Sequence, residues 1–291
     1  MSKYIPVPDS TLKALSIGFH VPGVDLRSYE PSRLLGSDEI WEQIAGLFLA
    51  CELGDSSALR RIPAIMKSSD AYLVWRAVTN LAGLAGNIDF VKDVFKPFEN
   101  DGSGSEYFMV TALGLTLDPD AVEILLTLHN SASDEETRYQ IERELSYLLE
   151  DTNGPIIRGA DESIESEDED TVHIINREAY FPKVTAALSL VRAQLPVPNT
   201  PILGGKVFDV VKLARRLLER VGSAAPEIGR VHRHRLIFEA ATGVNCAAFF
   251  DSPVKLNSLQ ATAILETFLD SDDVRKFAPG QRYFFGHPIG A

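Results

Sequence analysis

Between residues 37 and 150, apolar side chains recur every third or fourth residue in short segments, most of them opened by a capping residue and closed by glycine or proline. That spacing puts them on one face of a helix. A short helix cannot cover its own apolar face, so such a chain must stack helix on helix. Ser37 suits an N-cap, Asp38 and Glu39 suit the positive end of the helix dipole, and Ile40, Ile44, Leu47, Phe48 and Cys51 follow up to the stop at Gly54. A second helix is predicted from Ser57 to about Lys67, with Pro63 bending it or marking a late start. A third begins near Asp70, carries Leu73, Ala77, Leu81 and Leu84, and ends at Gly86. A fourth spans Ile88 to Phe95, and a fifth runs from Glu106 to about Leu117 after the Gly-rich turn at Asn100–Ser105. Asp118-Pro119 is the next start signal, and the capping-box spacing of Ser133–Glu136 opens a helix that reaches Leu149.

The longer helices start at about 37, 69, 105 and 133, at intervals of 32, 36 and 28 residues. Each interval holds a helix, a turn and usually a second helix, which is the period of an α-solenoid. Residues 1–36 hold Pro6, Pro8, Pro22 and Pro31 and are expected to be irregular. Residues 151–175 read as an acidic loop or linker, and 176–291 as a helical C-terminal domain. In that domain, helices are predicted from Pro182 to Leu195, Lys206 to Val221, Pro226 to about Thr242 and Asn257 to Leu269. Thr171–Ile175 could form a short strand and pair with the aromatic segment Gln281–Ile289. The fold class is therefore mostly α, with at most one short strand pair.

Charge narrows the function classes. The 291 residues carry a net charge of −13, and it is unevenly spread. Residues 1–170 hold 13 basic and 31 acidic side chains, net −18, whereas residues 171–291 are net +5. An acidic chain is repelled by phosphate backbones, which argues against nucleic acid as a partner. No apolar run approaches the roughly 20 residues that span a bilayer, and the N-terminal residues do not read as a signal peptide. Two cysteines far apart in sequence fit a reducing cytoplasm. Seven carboxylates crowd Asp161–Asp170: Asp161, Glu162, Glu165, Glu167, Asp168, Glu169 and Asp170. Their mutual repulsion predicts an exposed, poorly ordered loop, either a solvated linker or a contact for a basic partner.

No residue pattern singles out a catalytic site, a cofactor or a metal. His232 and His234 lie two apart, not at the i,i+4 spacing that lets two helical histidines share a metal, and arginines flank them. Arg230–Arg235 therefore reads as a basic surface stripe that, with Lys212, Arg215, Arg216 and Arg220, could dock on the acidic loop. Cys51 falls on an apolar helical face, which favours a core role, and Cys246 has no histidine near it in sequence. Gly102–Ser105 lacks the lysine of a phosphate loop and follows no strand. Trp41, Trp75, Tyr72 and Tyr107 lie on or beside the apolar stripes, as core residues or as binding anchors.

Asp118 through Leu128, followed by Asp134–Leu148 with Arg138 near its start, resembles a HEAT-like repeat; Val74-Trp75-Arg76-Ala77 leading to Leu81 and Gly86 resembles the first helix of another. The resemblance covers about residues 37–150 and implies a HEAT-like solenoid. Arg235–Gly243, Ala247–Asp251, Leu259–Leu269 and Pro279–Pro288 look similar to bacterial HEAT-repeat proteins of polymorphic-toxin loci. That likeness implies a cytoplasmic immunity protein, not an enzyme, that neutralises a basic toxin domain by stoichiometric protein–protein binding. A scaffold for another protein partner, and a lyase or chaperone on the same frame, are the alternatives. The acidic block Asp161–Asp170 is the candidate partner-binding segment.

Overall fold

The computed structural model describes residues 9–20, 25–98, 104–132, 134–152, 154, 156, 169–252 and 255–289; for 9–12 and 169–179 it describes the backbone. The chain is mostly helical, with a few short antiparallel strand pairs. Residues 1–36, expected to be irregular, contain helices α1 (Asp9–Ile17) and α2 (Pro31–Leu35). Pro31 opens α2, where a missing N–H has no intrahelical partner to lose. Helix α3 (Ile40–Glu52) starts later than Ser37 suggests, because the Ser37 hydroxyl accepts the Glu39 N–H at 3.1 Å and holds a turn instead. A 3₁₀ segment at Ser56–Arg61 precedes α4 (Ile62–Ser68), so Pro63 marks a late start. Next come α5 (Tyr72–Ala85), closed by Gly86, and α6 (Ile88–Phe95), capped by the Asn87 side chain on the Phe90 N–H at 2.9 Å. Helix α7 (Ser105–Leu115) leads to α8 (Ala121–Ser131), which begins after the Asp118 carboxylate has accepted the Asp120 N–H. Helix α9 (Glu135–Leu149) is capped by Asp134, which accepts the Thr137 N–H at 2.7 Å.

The second half departs further from expectation. Thr171–Ile175 is helical, inside α10 (Glu169–Arg192), and Pro182 lies within that helix rather than at its start. Glu169 and Asp170 stand at its N-terminus, where carboxylates favour the helix dipole, and this outweighs the β-branched run that follows. Lys206–Val207 is strand β2, paired with β1 (Ile202–Leu203); α11 (Val210–Val221) starts only at the Asp209 cap, whose carboxylate accepts the Lys212 N–H. Helix α12 (Ile228–Thr242) ends on Gly243 at φ 72°, followed by β3 (Phe250–Ser252) and β4 (Lys255–Leu256). Helix α13 (Ser258–Leu269) is capped by Asn257. The aromatic segment folds on itself as β5 (Tyr283–Phe284) and β6 (His287–Pro288), so the expected pairing with Thr171–Ile175 does not form.

Contacts divide the chain into two units, and neither follows the linear boundaries expected from composition. Unit 1 comprises Met1–Gly86, Asp209–Ala278 and Arg282–Gly290; unit 2 comprises Asn87–Phe208, Pro279–Gln281 and Ala291. Unit 1 centres on α5, which is buried almost all round from Val74 onward, as a helix apolar on every side must be. Helix α1 packs on it, and the Asn80 amide donates to the Ser16 carbonyl at 3.1 Å. In unit 2, α9 is the central element and contacts α7, α8 and α10. Leu81 of unit 1 and Leu125 of unit 2 are 0% exposed. Leu81→Ala or Leu125→Ala should cost about 2–5 kcal/mol by denaturant unfolding; a loss under about 0.5 kcal/mol would contradict that burial.

The same device recurs in both units. Gly204 and Gly205, both at positive φ, make the two-residue turn between β1 and β2 and donate their N–H groups to the Tyr147 and Leu148 carbonyls at 3.0 and 2.8 Å. Phe285 and Gly286, also at positive φ, make the turn between β5 and β6 and donate to Ala240 and Ala241 at 2.7 and 2.9 Å. Each turn has the φ signs of the primed hairpin class and closes carbonyls in the last turn of a helix, α9 or α12. The β5–β6 hairpin does more. The Arg282 guanidinium donates to the Gly83, Leu84 and Gly86 carbonyls at the end of α5 at 2.8–3.0 Å. His287 Nε2 lies 2.9 Å from the Glu52 carbonyl at the end of α3; that oxygen only accepts, so Nε2 carries the proton.

Candidate functional site

Of the seven carboxylates of the candidate partner-binding segment, Asp161, Glu162, Glu165, Glu167 and Asp168 lie outside the described residues; Glu169 and Asp170 are the first two residues of α10. The expectation of an exposed loop there is thus corrected at its C-terminal end. Elsewhere in the acidic half, exposed carboxylates sit at helix starts and on outer helical faces. Unit 1 exposes Asp38, Glu39, Asp55 and Asp70; unit 2 exposes Asp89, Asp93, Asp134, Glu135 and Glu136. The Thr137 N–H holds the Asp134 carboxyl below its ordinary range, so it is a fixed anion at neutral pH. Asp120 and Glu123 are also exposed, but both pair with the Arg192 guanidinium.

The basic segment of α12 is not a surface stripe. Arg230, Arg233, His234 and Arg235 are all buried, with His234 at 0% and Arg230 at 1% exposure. His232 is half-buried and stacks on Phe250 with ring centroids 3.8 Å apart. Glu227, just before the helix, bridges two elements: its Oε2 lies 3.3 Å from Arg220 Nη1 on α11 and 3.2 Å from Arg230 Nε. Neither ring nitrogen of His234 has a hydrogen-bond partner. Burial, together with Arg220, Arg216, Arg230 and Arg233, pushes its pKa well below the usual imidazole range. Among the described residues no group of three histidine, cysteine or acidic side chains is placed to hold a metal.

A second buried polar cluster joins distant segments of unit 1. Glu239 of α12 is 0% exposed; its Oε1 accepts the Phe19 N–H at 3.1 Å and lies 2.7 Å from His20 Nδ1. Its Oε2 is 3.0 Å from Arg235 Nη1, and Arg235 also donates to the Ile17 carbonyl. A side chain on Gly18 would put its Cβ 2.9 Å from Glu239 Oε2, so glycine is what lets the backbone approach the carboxylate. Phe19 and His20 both contact the Phe285 ring. Nothing in the spacing of residues around 18 or 239 announced this cluster; only the apolar flanks of Glu239 hinted at burial.

The cysteines are inert by environment. Burial pushes the Cys51 thiol up to about 12, and the Cys246 thiol well above its ordinary value. Of the four aromatics weighed as anchors, Trp75 is core and donates to the Ser69 carbonyl at 2.7 Å; Tyr72 is 51% exposed; Trp41 and Tyr107 are intermediate. No described helix is long and apolar enough to cross a membrane. Comparison with protein-family models, with curated proteins and with solved structures returns no match.

Proposed function

We propose that this chain is a HEAT-like helical binding protein, an immunity protein that neutralises a basic toxin domain by stoichiometric association in the cytoplasm. The observation that carries the reading is the concentration of negative charge, net −18 over residues 1–170, together with the exposed carboxylates on consecutive helices of that half. Complementary potentials raise association rates and select against wrong partners. Exposed Tyr72 and Tyr139, at 51% and 48%, supply aromatic side chains of the kind that anchor interfaces. Affinity capture from the native host, read by mass spectrometry, should return a basic toxin domain at equal stoichiometry, and the purified pair should lack the toxin's activity. Capture of a non-toxic host protein alone would overturn this function in favour of a scaffold.

Electrostatic steering gives a second measurement. Neutralising Glu167, Asp168, Glu169 and Asp170 to glutamine or asparagine should slow association severalfold at low salt and leave dissociation nearly unchanged. Exposed charges act mainly on encounter and are screened over roughly 8 Å at physiological ionic strength. Stopped-flow association should therefore slow with salt more steeply for the parent than for the variant. Equal rates and equal salt slopes would leave the segment a linker and shift the interface to the exposed helical faces.

A further inference from the structure

An open cavity of about 390 Å³ lies in unit 1 between the loop after α12 and the outer face of α13. That volume falls within the roughly 300–1,000 Å³ of small-molecule sites. Its apolar walls are Val244, Ala263, Ile264 and Phe268. The Phe268 ring is held 5.0 Å from Phe238 and 5.9 Å from Phe277 between centroids, so the floor is preformed. The polar lining mostly accepts hydrogen bonds. Thr267 and Ser271 each spend their one hydroxyl proton on a carbonyl, of Ala263 and Phe268 respectively, both at 2.7 Å, so what remains on each oxygen is acceptor capacity. Asp273 accepts through two oxygens, and Lys276 Nζ engages one of them, Oδ1, at 2.5 Å. Asn245 adds an uncharged donor, since its Oδ1 takes the Ala247 N–H at 3.0 Å. Thr267, Ser271 and Asp273 stand at the C-terminal end of α13, the negative end of the helix dipole, and its last turn holds no basic residue.

We propose that this cavity binds a small primary amine with an apolar body. The body lies against Val244, Ile264 and Phe268, and the ammonium donates to the Thr267 and Ser271 oxygens and to the Asp273 carboxylate. An ammonium carries three N–H donors and no acceptor, which matches oxygens whose own protons are already spent. A carboxylate or phosphate ligand would meet those lone pairs and the negative helix end, and is repelled. An uncharged apolar ligand fills the walls but leaves the acceptors without a donor, which costs affinity. A bare inorganic cation leaves the apolar walls unused, and among the described residues no group of three histidine, cysteine or acidic side chains is placed to hold one. The site is independent of the acidic half, and its failure would leave the proposed function standing.

The test uses the full chain at constant ionic strength, with n-hexylammonium chloride as the probe. Its titration should shift the Val244 and Ile264 methyl signals saturably in methyl-labelled protein, and should raise the unfolding temperature as mass action requires of a ligand specific to the folded state. Hexanol and sodium hexanoate carry the same chain without the ammonium and should bind at least tenfold more weakly. Ammonium chloride, without the chain, should leave the methyl signals in place. Thr267→Val and Asp273→Asn, both at exposed positions that the fold does not depend on, should weaken hexylammonium binding severalfold and leave hexanol binding unchanged. Equal binding of amine and alcohol, methyl signals unmoved by the amine, or variants that bind the amine like the parent would each overturn the proposal.

Discussion

Glu239→Ala is expected to destabilise unit 1 by about 3–5 kcal/mol, and the double variant Arg235→Met/Glu239→Met to recover most of that loss. The Glu239 carboxylate is fully buried and meets His20, the Phe19 N–H and Arg235 at 2.7–3.1 Å. Removing it strands the Arg235 guanidinium, itself only 4% exposed, in a low-dielectric interior. Breaking one side of a buried pair is costly because of the charge left behind, whereas replacing both partners by apolar residues of similar volume is often neutral. Both tryptophans, Trp41 and Trp75, belong to unit 1, so intrinsic fluorescence during urea unfolding reports on the affected unit. A single variant losing under 1 kcal/mol, or a double variant no better than the single, would contradict this account.

Gly205→Ala should cost unit 2 about 2–4 kcal/mol, against about 1 kcal/mol for Gly286→Ala in unit 1. Gly205 sits at φ 69°, and a Cβ there would stand 2.5 Å from the Leu149 carbonyl oxygen, a backbone atom that cannot move without disturbing the end of α9. The substitution therefore combines a left-handed backbone penalty of roughly 1–2 kcal/mol with a clash and a weakened cap. Gly286 has φ 80° but nothing within 4 Å of its added Cβ, so it isolates the backbone penalty. Calorimetric unfolding of the two variants measures the difference. Equal losses would mean that the β1–β2 turn tolerates displacement from α9.

What the sequence displays depends on how locally each feature is determined. Helix α6 is readable to the residue because the Asn87 cap, its apolar face and Pro97 all lie within about one turn of its ends. Helix α10 is misread because Thr171–Ile175 is β-branched and Pro182 looks like a start, whereas the helix begins on the carboxylates before both. The β1–β2 hairpin is legible in the Gly204-Gly205 turn signal that follows the apolar pair Ile202-Leu203, but Lys206 also reads as a helix start, which masks it. The Arg230–Arg235 segment looks like surface because arginine is rarely buried without partners. Arg235 at its end donates to the Ile17 carbonyl, and Glu239, one turn on, meets Phe19 and His20, all more than 200 residues away, and no local pattern encodes that.

The nested connectivity sets an order of assembly on the ribosome. The carbonyls at the end of α5 wait for Arg282, almost 200 residues later, and the Glu52 carbonyl waits for His287, 235 residues later. At about 5–20 residues per second, that interval is roughly 10–50 s of synthesis. Throughout it, the faces of α1 and α5 that unit 1 will cover have emerged without the strands that close them, while the main segment of unit 2, Asn87–Phe208, is made within the same interval and is free to fold before unit 1 is complete. A nascent chain of this design spends most of its translation time half finished, and its first five helices are the stretch that a holdase would shelter.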